Sequence, residues 1–238
     1  MLFRKKPNTS LSIDIHSHLI PGVDDGVKTT EDAIEAIEGL RQLGINGCVT
    51  TPHFYHEVYP NEEKHILSKA SELREALINR RIDFRIEVAG EYFIDEFLLR
   101  KIQSNTSLNH FGEDYLLVET SFMDKPPIFE EIIFELRTSG YRPVLAHPER
   151  YQYIFENPGL AREWFEQGML FQVTTGSLAG IYGKGPQKLA QKLVDEGLVH
   201  FLGSDLHGKR HLPGLKAGMS TRYYKKALKL PLLNDTAM

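Results

Sequence analysis

The sequence has little cysteine, no long apolar run and no excess of positive charge. Cys48 is the one cysteine among 238 residues, so an internal disulfide framework is excluded. No apolar run approaches the roughly 20 residues of a membrane span, and the first residues lack the apolar core of a signal peptide. A net charge of −4 gives no electrostatic signature of nucleic-acid binding. We therefore expect a cytoplasmic protein with no nucleic-acid partner and no stable membrane insertion.

What the sequence does contain is the composition of an ordinary globular domain. Apolar residues make up 41% of the chain and charged residues 25%. A chain of this length can bury a substantial core as one domain. We assign residues 1–10 to an N-terminal tail, residues 11–229 to a single domain and residues 230–238 to a C-terminal tail. The basic patch Arg4-Lys5-Lys6 has too few charges to hold the protein at an anionic membrane.

Strand-like and helix-like segments alternate along the chain, which predicts a mainly parallel sheet. Helices are predicted between most of the strands, and a last helix covers residues 216–228. No internal repeat or linker interrupts the pattern. We expect an α/β fold, a single distorted (β/α)7 barrel of the TIM type. The seven predicted strands cover residues 11–16, 45–51, 84–89, 115–118, 143–146, 169–174 and 198–202.

Side chains that commonly bind metal ions recur at the ends of these strands. The motif Asp14-Ile15-His16-Ser17-His18 places two histidines two residues apart, so that both point to the same side of the strand. Asp205 and His207 repeat this spacing after the last strand. Because strand ends in a barrel surround one point, we expect these side chains to converge. The nine candidate ligands are His16, His18, Asp25, His53, Glu91, Glu119, His147, Asp205 and His207.

Several of these residues also have an ordinary structural interpretation. His53 and His147 each follow an apolar strand beside a proline, and each alone could be a core histidine. Asp25 lies in Asp24-Asp25-Gly26, which could simply be a tight turn. Glu91 and Glu119 are the stronger candidates, because a carboxylate at the end of a hydrophobic strand is costly to desolvate unless it meets a cation.

The types of ligand indicate which ions would bind. Nitrogen and oxygen donors without thiolate suit manganese, iron, zinc or magnesium. The set is larger than one tetrahedral zinc requires, so we expect two or three divalent ions. Three ions would bring a charge of +6 against −4 from the four carboxylates. The remaining charge suits a phosphate dianion and a metal-bound hydroxide, which predicts a metal-dependent phosphate hydrolase.

In this order, these motifs resemble the polymerase and histidinol phosphatase (PHP) family from about Ser12 to His211. Two of the strings, Ala146 to Arg150 and Thr175 to Gly180, favour the bacterial tyrosine-protein phosphatases of capsule and exopolysaccharide gene clusters. The strings that carry the resemblance are Asp14-Ile15-His16-Ser17-His18, Asp24-Asp25-Gly26, Thr51-Pro52-His53, Gly90-Glu91, Leu117-Val118-Glu119, Ala146-His147-Pro148-Glu149-Arg150, Thr175-Gly176-Ser177-Leu178-Ala179-Gly180 and Ser204-Asp205-Leu206-His207.

The resemblance implies a role for each site residue and names manganese as the expected metal. Arg150 and Arg210 would bind phosphate, and they form the expected catalytic set together with His147 and Asp205. The nine ligands would be shared among three ions: His16, His18, Glu91 and Asp205 on the first; Glu91 as a bridge, Glu119 and His147 on the second; Asp25, His53 and His207 on the third.

The function implied by the resemblance is hydrolysis of phosphotyrosine, with a metal-bound hydroxide attacking phosphorus. The implied substrate is the tyrosine-rich tail of a membrane tyrosine autokinase that controls polysaccharide export. Two alternatives remain open at the level of sequence. One is a phosphatase of a small metabolite such as histidinol phosphate, or a phosphodiesterase; the other is a non-catalytic module that binds phosphopeptides. An oligomer is also possible, because basic residues such as Arg41 and Arg74 lie on helices that could form an interface.

Overall fold

The computed structural model describes residues 10–238. Residues 1–9, which include most of the expected N-terminal tail and the basic patch, lie outside the described residues. Strands and helices alternate along the chain as β1 Ile13–Asp14, α1 Thr30–Gln42, β2 Gly47–Thr50, β3 His53–Phe54, α2 Glu63–Asn79, β4 Arg85–Val88, β5 Glu91–Phe93, α3 Glu96–Gln103, β6 Tyr115–Glu119, α4 Phe129–Thr138, β7 Arg142–Ala146, α5 Gln152–Glu156, α6 Gly159–Glu166, β8 Leu170–Thr174, α7 Lys184–Glu196, β9 Phe201–Gly203, α8 Leu212–Met219 and α9 Arg222–Ala227.

All strand pairs in these sheets are parallel, and together they form a barrel. One sheet has the order β1-β2-β4, and the other has the order β3-β5-β6-β7-β8-β9. The two sheets are continuous, because β3 follows β2 and β5 follows β4 after two residues each. Beyond β1 and β9, Ser17 pairs in parallel with Leu206, and His18 N donates to Leu206 O at 2.9 Å. This contact joins the first strand to the last, so seven strand positions close on themselves as expected.

The differences from the predicted elements have local causes. Two of the predicted strands, 45–51 and 84–89, continue past their predicted ends: after Pro52 and Gly90 the chain forms the short strands β3 and β5. The expected last helix is two helices rather than one. Thr221 begins the second of them, because its hydroxyl accepts a hydrogen bond from Tyr224 N as an N-cap. Helix α5 was not predicted from the sequence.

The core has an inner layer within the barrel and an outer layer under the helices. Ile13, Val49, Leu117, Val144 and Phe201 belong to one buried cluster that fills the barrel interior. Separate clusters lie between the strands and the surrounding helices. Cys48 belongs to the outer layer, where it is fully buried, and burial raises the pKa of its thiol. A filled interior leaves the strand ends as the place for a functional site.

The contact between β1 and β9, here called the seam, is made largely by side chains. The Asp14 carboxylate accepts hydrogen bonds from the Ser204 backbone N and hydroxyl. Asn234 is fully buried; its Nδ2 donates to Ile13 O and Leu202 O, and its Oδ1 accepts from Leu202 N. Residues 230–238, the expected C-terminal tail, therefore contribute to the base of the barrel.

Among residues 10–238, no helix has both the length and the apolar character required to cross a bilayer.

Candidate active site

The candidate ligands lie at the carboxyl ends of the strands, above the apolar interior. Alternation along a strand explains how two of them reach the barrel axis. Ala89 and Leu117 face the interior, and two residues later Glu91 and Glu119 point the same way. Both carboxylates are buried, with 1% and 8% of their surface exposed. At these two strand ends, the period of two places a polar layer directly above an apolar one.

At two other ligands the strand ends in an unusual backbone conformation. His147 follows β7 with φ of 34°, and Asp205 follows β9 with φ of 52°. Both lie in the left-handed region, which non-glycine residues rarely adopt. Such conformations persist where the surrounding structure enforces them, and they are concentrated at functional sites. The geometry of these two residues therefore supports a selected role for their side chains.

Four donor atoms form a compact group at the centre of the site. His16 Nε2 lies 3.2 Å from Glu91 Oε2 and 3.4 Å from Asp205 Oδ1. His18 Nε2 lies 3.3 Å and 3.4 Å from the same two oxygens. Ligands about 2.1 Å from a shared ion would be roughly 3.4 Å apart at tetrahedral angles. The spacing of His16, His18 and Glu91 therefore fits one divalent ion, and Asp205 Oδ1 lies at ligand spacing from both histidines.

The other candidate ligands form two groups that adjoin the first. Glu91 Oε1 lies 3.1 Å from His147 Nε2, and Glu119 Oε2 lies 4.0 Å from the same nitrogen. Glu91 is thus placed to bridge between groups. In the third group, Asp25 Oδ1 lies 3.4 Å from both His53 Nε2 and His207 Nε2. The structure brings all nine predicted ligands together.

The electrostatics of the cluster also fit cations. Burial opposes protonation of His16, but the charges of Glu91 and Asp205 outweigh it and raise the pKa of His16. Burial likewise opposes protonation of His53, yet neighbouring carboxylates raise its pKa to about 10. Burial and the nearby charge of Glu91 raise the pKa of Glu119. Without metal, the site compensates its packed carboxylates with protons, which is the compensation that divalent ions would supply.

Asp24, which the sequence indicates only as part of a turn, has a second role in this site. It is buried, and its Oδ2 accepts a hydrogen bond from His18 Nδ1 at 2.9 Å. An imidazole that donates from Nδ1 presents the lone pair of Nε2 to the central group. Burial opposes ionisation, but the His18 imidazole holds the pKa of Asp24 below its usual value. Asp24 therefore orients the imidazole of His18, a candidate ligand.

Gln172 and Glu149 were also missed, and both are fully or almost fully buried. Gln172 Oε1 lies 2.8 Å from His16 Nδ1 and fixes that ring as Asp24 fixes His18. Glu149 Oε1 accepts hydrogen bonds from Thr174 N and from the Ser177 hydroxyl. It thereby ties the turn that carries Arg150 to the turn after β8. A glutamine within the apolar run of β8 was the available signal for Gln172.

A cavity of about 690 Å³ opens over the ligands. Seven of the nine candidate ligands line it, while His16 and His18 are fully buried. Both predicted phosphate-binding arginines are on its wall, and Arg210 is exposed. Arg150 Nη1 donates to Asp205 Oδ2 at 2.7 Å, and its guanidinium lies between the rings of Phe122 and Tyr182, at 4.5 and 4.4 Å.

A parallel barrel whose strand ends bring nitrogen and oxygen donors to the floor of one cavity is the architecture of the barrel-type metallohydrolases. Within that class the chain belongs to the CpsB/CapC family of capsular polysaccharide synthesis, whose pattern matches residues 12–229.

Individual relatives agree with this assignment. The chain is 36% identical over 195 residues to the tyrosine-protein phosphatase YwqE of Bacillus subtilis, covering 82% of this chain and 77% of YwqE. It is 33% identical over 202 residues to CapC of Staphylococcus aureus, covering 84% and 79%. A solved chain from the crystal structures of YwqE and of CpsB from Streptococcus pneumoniae, described as unique metal-dependent tyrosine phosphatases, superposes with a TM-score of 0.80. That chain is 32% identical, and the match covers 95% of this chain and 96% of the other.

Proposed function

We propose that this protein is a metal-dependent protein-tyrosine phosphatase that hydrolyses phosphotyrosine monoesters. The observation that carries the proposal is the position of the donor cluster, on the floor of a cavity that also contains Arg150 and has aromatic walls. The relatives named as tyrosine-protein phosphatases support the same reaction. The nine ligands would hold two or three divalent ions, with manganese as the expected metal.

Bound ions would lower the pKa of a water molecule and neutralise phosphoryl oxygens. The remaining steps depend on side chains of this protein. Arg150 is held between two rings with its guanidinium facing the cavity, so it is placed to bind a phosphoryl oxygen. Phenoxide is a good leaving group, with a pKa of about 10 for the free phenol, so a dedicated general acid is unnecessary. No phosphoenzyme is expected, and Cys48 is buried within the core.

The cavity walls favour an aromatic phosphate over a small polar one. Tyr55, Tyr59 and Phe93 line one part of the cavity, and Phe122 lies on another part with 41% of its surface exposed. Met123, which is also exposed, extends the apolar rim. A tyrosine ring could lie between such walls while its phosphate reaches the donor cluster.

The physiological substrate that we propose is a phosphorylated, tyrosine-rich segment of the membrane autokinase that controls polysaccharide export. Membership of a capsular polysaccharide synthesis family supports this partner. Because kinases draw on cytoplasmic ATP, the proposed place of action is the cytoplasm.

A substrate panel tests the reaction. The protein is stripped with a chelator, restored with manganese and assayed on a phosphotyrosine peptide, a phosphoserine peptide, histidinol phosphate and a phosphodiester. We expect metal-dependent turnover confined to phosphotyrosine. Preference for histidinol phosphate or the diester would refute the substrate assignment, and peptide binding without turnover under any metal would favour a non-catalytic module.

A further inference from the structure

A second concavity adjoins the active-site cavity and has no role in the reaction proposed above. This flanking groove has a volume of about 410 Å³ and is lined chiefly by Phe54, His56, Tyr92, Phe97, Arg100 and Lys101. Its floor is aromatic: the Phe54 and Tyr92 rings stack at 4.7 Å, and the His56 and Phe97 rings stack at 3.8 Å. Such a floor suits a flat apolar side chain.

The groove and the active-site cavity share one wall, formed by the segment from His53 to Tyr59. Along this segment, His53 and Tyr55 line the active-site cavity, whereas Phe54 and His56 line the flanking groove. Tyr59 lines both, and its ring stacks on the candidate ligand His53 at 5.3 Å. A wall one chain thick with side chains on both faces is about 10 Å across, similar to the spacing of packed sheets. A single extended peptide could therefore reach both concavities with about three residues, at roughly 3.4 Å each.

Two basic side chains, Arg100 and Lys101, also line the groove. Arg100 is exposed and lies 4.3 Å from the centre of the Phe97 ring, and Lys101 Nζ lies 5.4 Å from the centre of the Phe54 ring. Neither cation forms an ion pair within the described part of the chain. The carboxylate at the edge of the groove, Asp95, is engaged as the N-cap of α3, where it accepts from Leu98 N at 2.8 Å. The two cations are therefore available to an anion on a ligand.

We propose that the flanking groove is a second substrate site, which binds an aromatic side chain next to an acidic residue in the same polypeptide, about three residues from the phosphotyrosine. The aromatic floor would receive the ring, and Arg100 and Lys101 would pair with the carboxylate. This proposal rests on the proposed phosphatase function and adds to it a recognition element outside the phosphate. Selectivity for protein substrates would then arise partly from contacts remote from the reacting phosphorus.

The test compares two phosphotyrosine peptides in the manganese-loaded protein. One carries Phe-Asp pairs three residues to either side of the phosphotyrosine, and the other carries Ala-Asn at those positions. We expect kcat/KM to be about tenfold higher for the first peptide, a factor that corresponds to 1.4 kcal/mol. The double substitution Arg100→Glu with Lys101→Glu should remove this preference. Hydrolysis of para-nitrophenyl phosphate, which is too small to reach the groove, should stay unchanged.

A matched control reverses two charges elsewhere. Lys225 and Lys229 are exposed at the C-terminal end of the chain and line neither concavity, so Lys225→Glu with Lys229→Glu should keep the preference. Equal kcat/KM for the two peptides in the unaltered protein, or a preference that survives the Arg100 and Lys101 change, would overturn the proposal.

A second measurement separates this proposal from the phosphatase assignment. Fluorescence anisotropy is recorded with the same two peptides carrying a non-hydrolysable phosphonate in place of the phosphate. If neither peptide nor aryl phosphate is hydrolysed, the proposed function fails, but tighter binding of the Phe-Asp peptide would still support the groove. Equal binding of both peptides would refute it regardless of turnover.

Discussion

Replacing Asp24 with asparagine tests whether metal binding depends on the residues that orient the ligands. The Asp24 carboxylate accepts three hydrogen bonds: Oδ1 from Gly26 N at 2.9 Å, and Oδ2 from His18 Nδ1 at 2.9 Å and from His53 N at 3.2 Å. An asparagine has the same shape but one acceptor oxygen. Asp24→Asn therefore removes both a charge and at least one acceptor from a buried position.

The size of the effect follows from the hydrogen bonds that the asparagine amide can still accept. If its oxygen takes the Oδ2 position, the Gly26 N–H loses its partner, which costs about 1–3 kcal/mol of folding stability. His18 then keeps a hydrogen bond but loses the carboxylate that makes its ring more basic. Losing such a partner typically weakens metal affinity by about 10- to 100-fold, or roughly 1.4–2.7 kcal/mol. We expect both changes in the variant.

Manganese affinity measured by isothermal titration calorimetry after chelator treatment is the decisive assay, and urea denaturation with and without metal reports stability. Asp83→Asn, at an exposed position between α2 and β4, is the control and should change neither quantity. An unchanged manganese affinity in a folded Asp24→Asn protein would show that Asp24 merely shapes the loop, and the orienting role would be refuted.

Other changes probe phosphate binding, the seam and acid sensitivity. Arg150→Ala should lower kcat/KM for aryl phosphate by about 10- to 100-fold, because a charged hydrogen bond to the phosphate is lost. Metal content measured by mass spectrometry should stay constant, and a parallel loss of metal would contradict a phosphate-binding role. Asn234→Ala breaks three buried hydrogen bonds and should reduce the free energy of unfolding in urea by about 3 kcal/mol, and a change below 1 kcal/mol would show that the seam does not depend on it. Burial and, to a lesser extent, Arg142 lower the pKa of His200 to about 4 from its usual 6.5. Between these two pH values the folded protein binds fewer protons than the unfolded chain, so the stability of the fold falls as pH drops from 6.5 to 4. His200→Asn, which keeps an acceptor for Phe171 N, should lose less stability than the unaltered protein between pH 7 and pH 4.5, as measured by denaturation at each pH; equal losses would contradict this account.

The parts of the fold that could be predicted from sequence depend on burial along single segments. All seven predicted strands are present, because a short apolar run between two helices is buried as a strand of the central sheet. The convergence of the candidate ligands was also predictable, since a carboxylate such as Glu91 has few other reasons to follow a buried strand.

What could not be predicted depends on tertiary partners. Gln172 is informative only once it is known to face His16, and Glu149 only once Ser177 is known to lie beside it. The break before α9 was nearer to prediction, because Thr221 is a common N-cap residue. However, apolar residues recur at helical spacing both before and after Thr221, so the pattern predicts one continuous helix. The orienting role of Asp24 was concealed in the same way by its position in a sequence typical of turns.

The seam has a consequence for the order of events during synthesis. His16 and His18 are made early, whereas Asp205 and His207 follow the last strand, so the central group of donors spans almost the whole chain. A nascent chain on the ribosome lacks Asp205, the last of the four donors of this group, until residue 205 has emerged. Hydrolytic capacity would therefore be gained in one late step, and a protein interrupted before that point would be inert rather than partly active. A bound ion would also tie the first strand to the last, so metal binding would stabilise the closed seam and release of metal would weaken it.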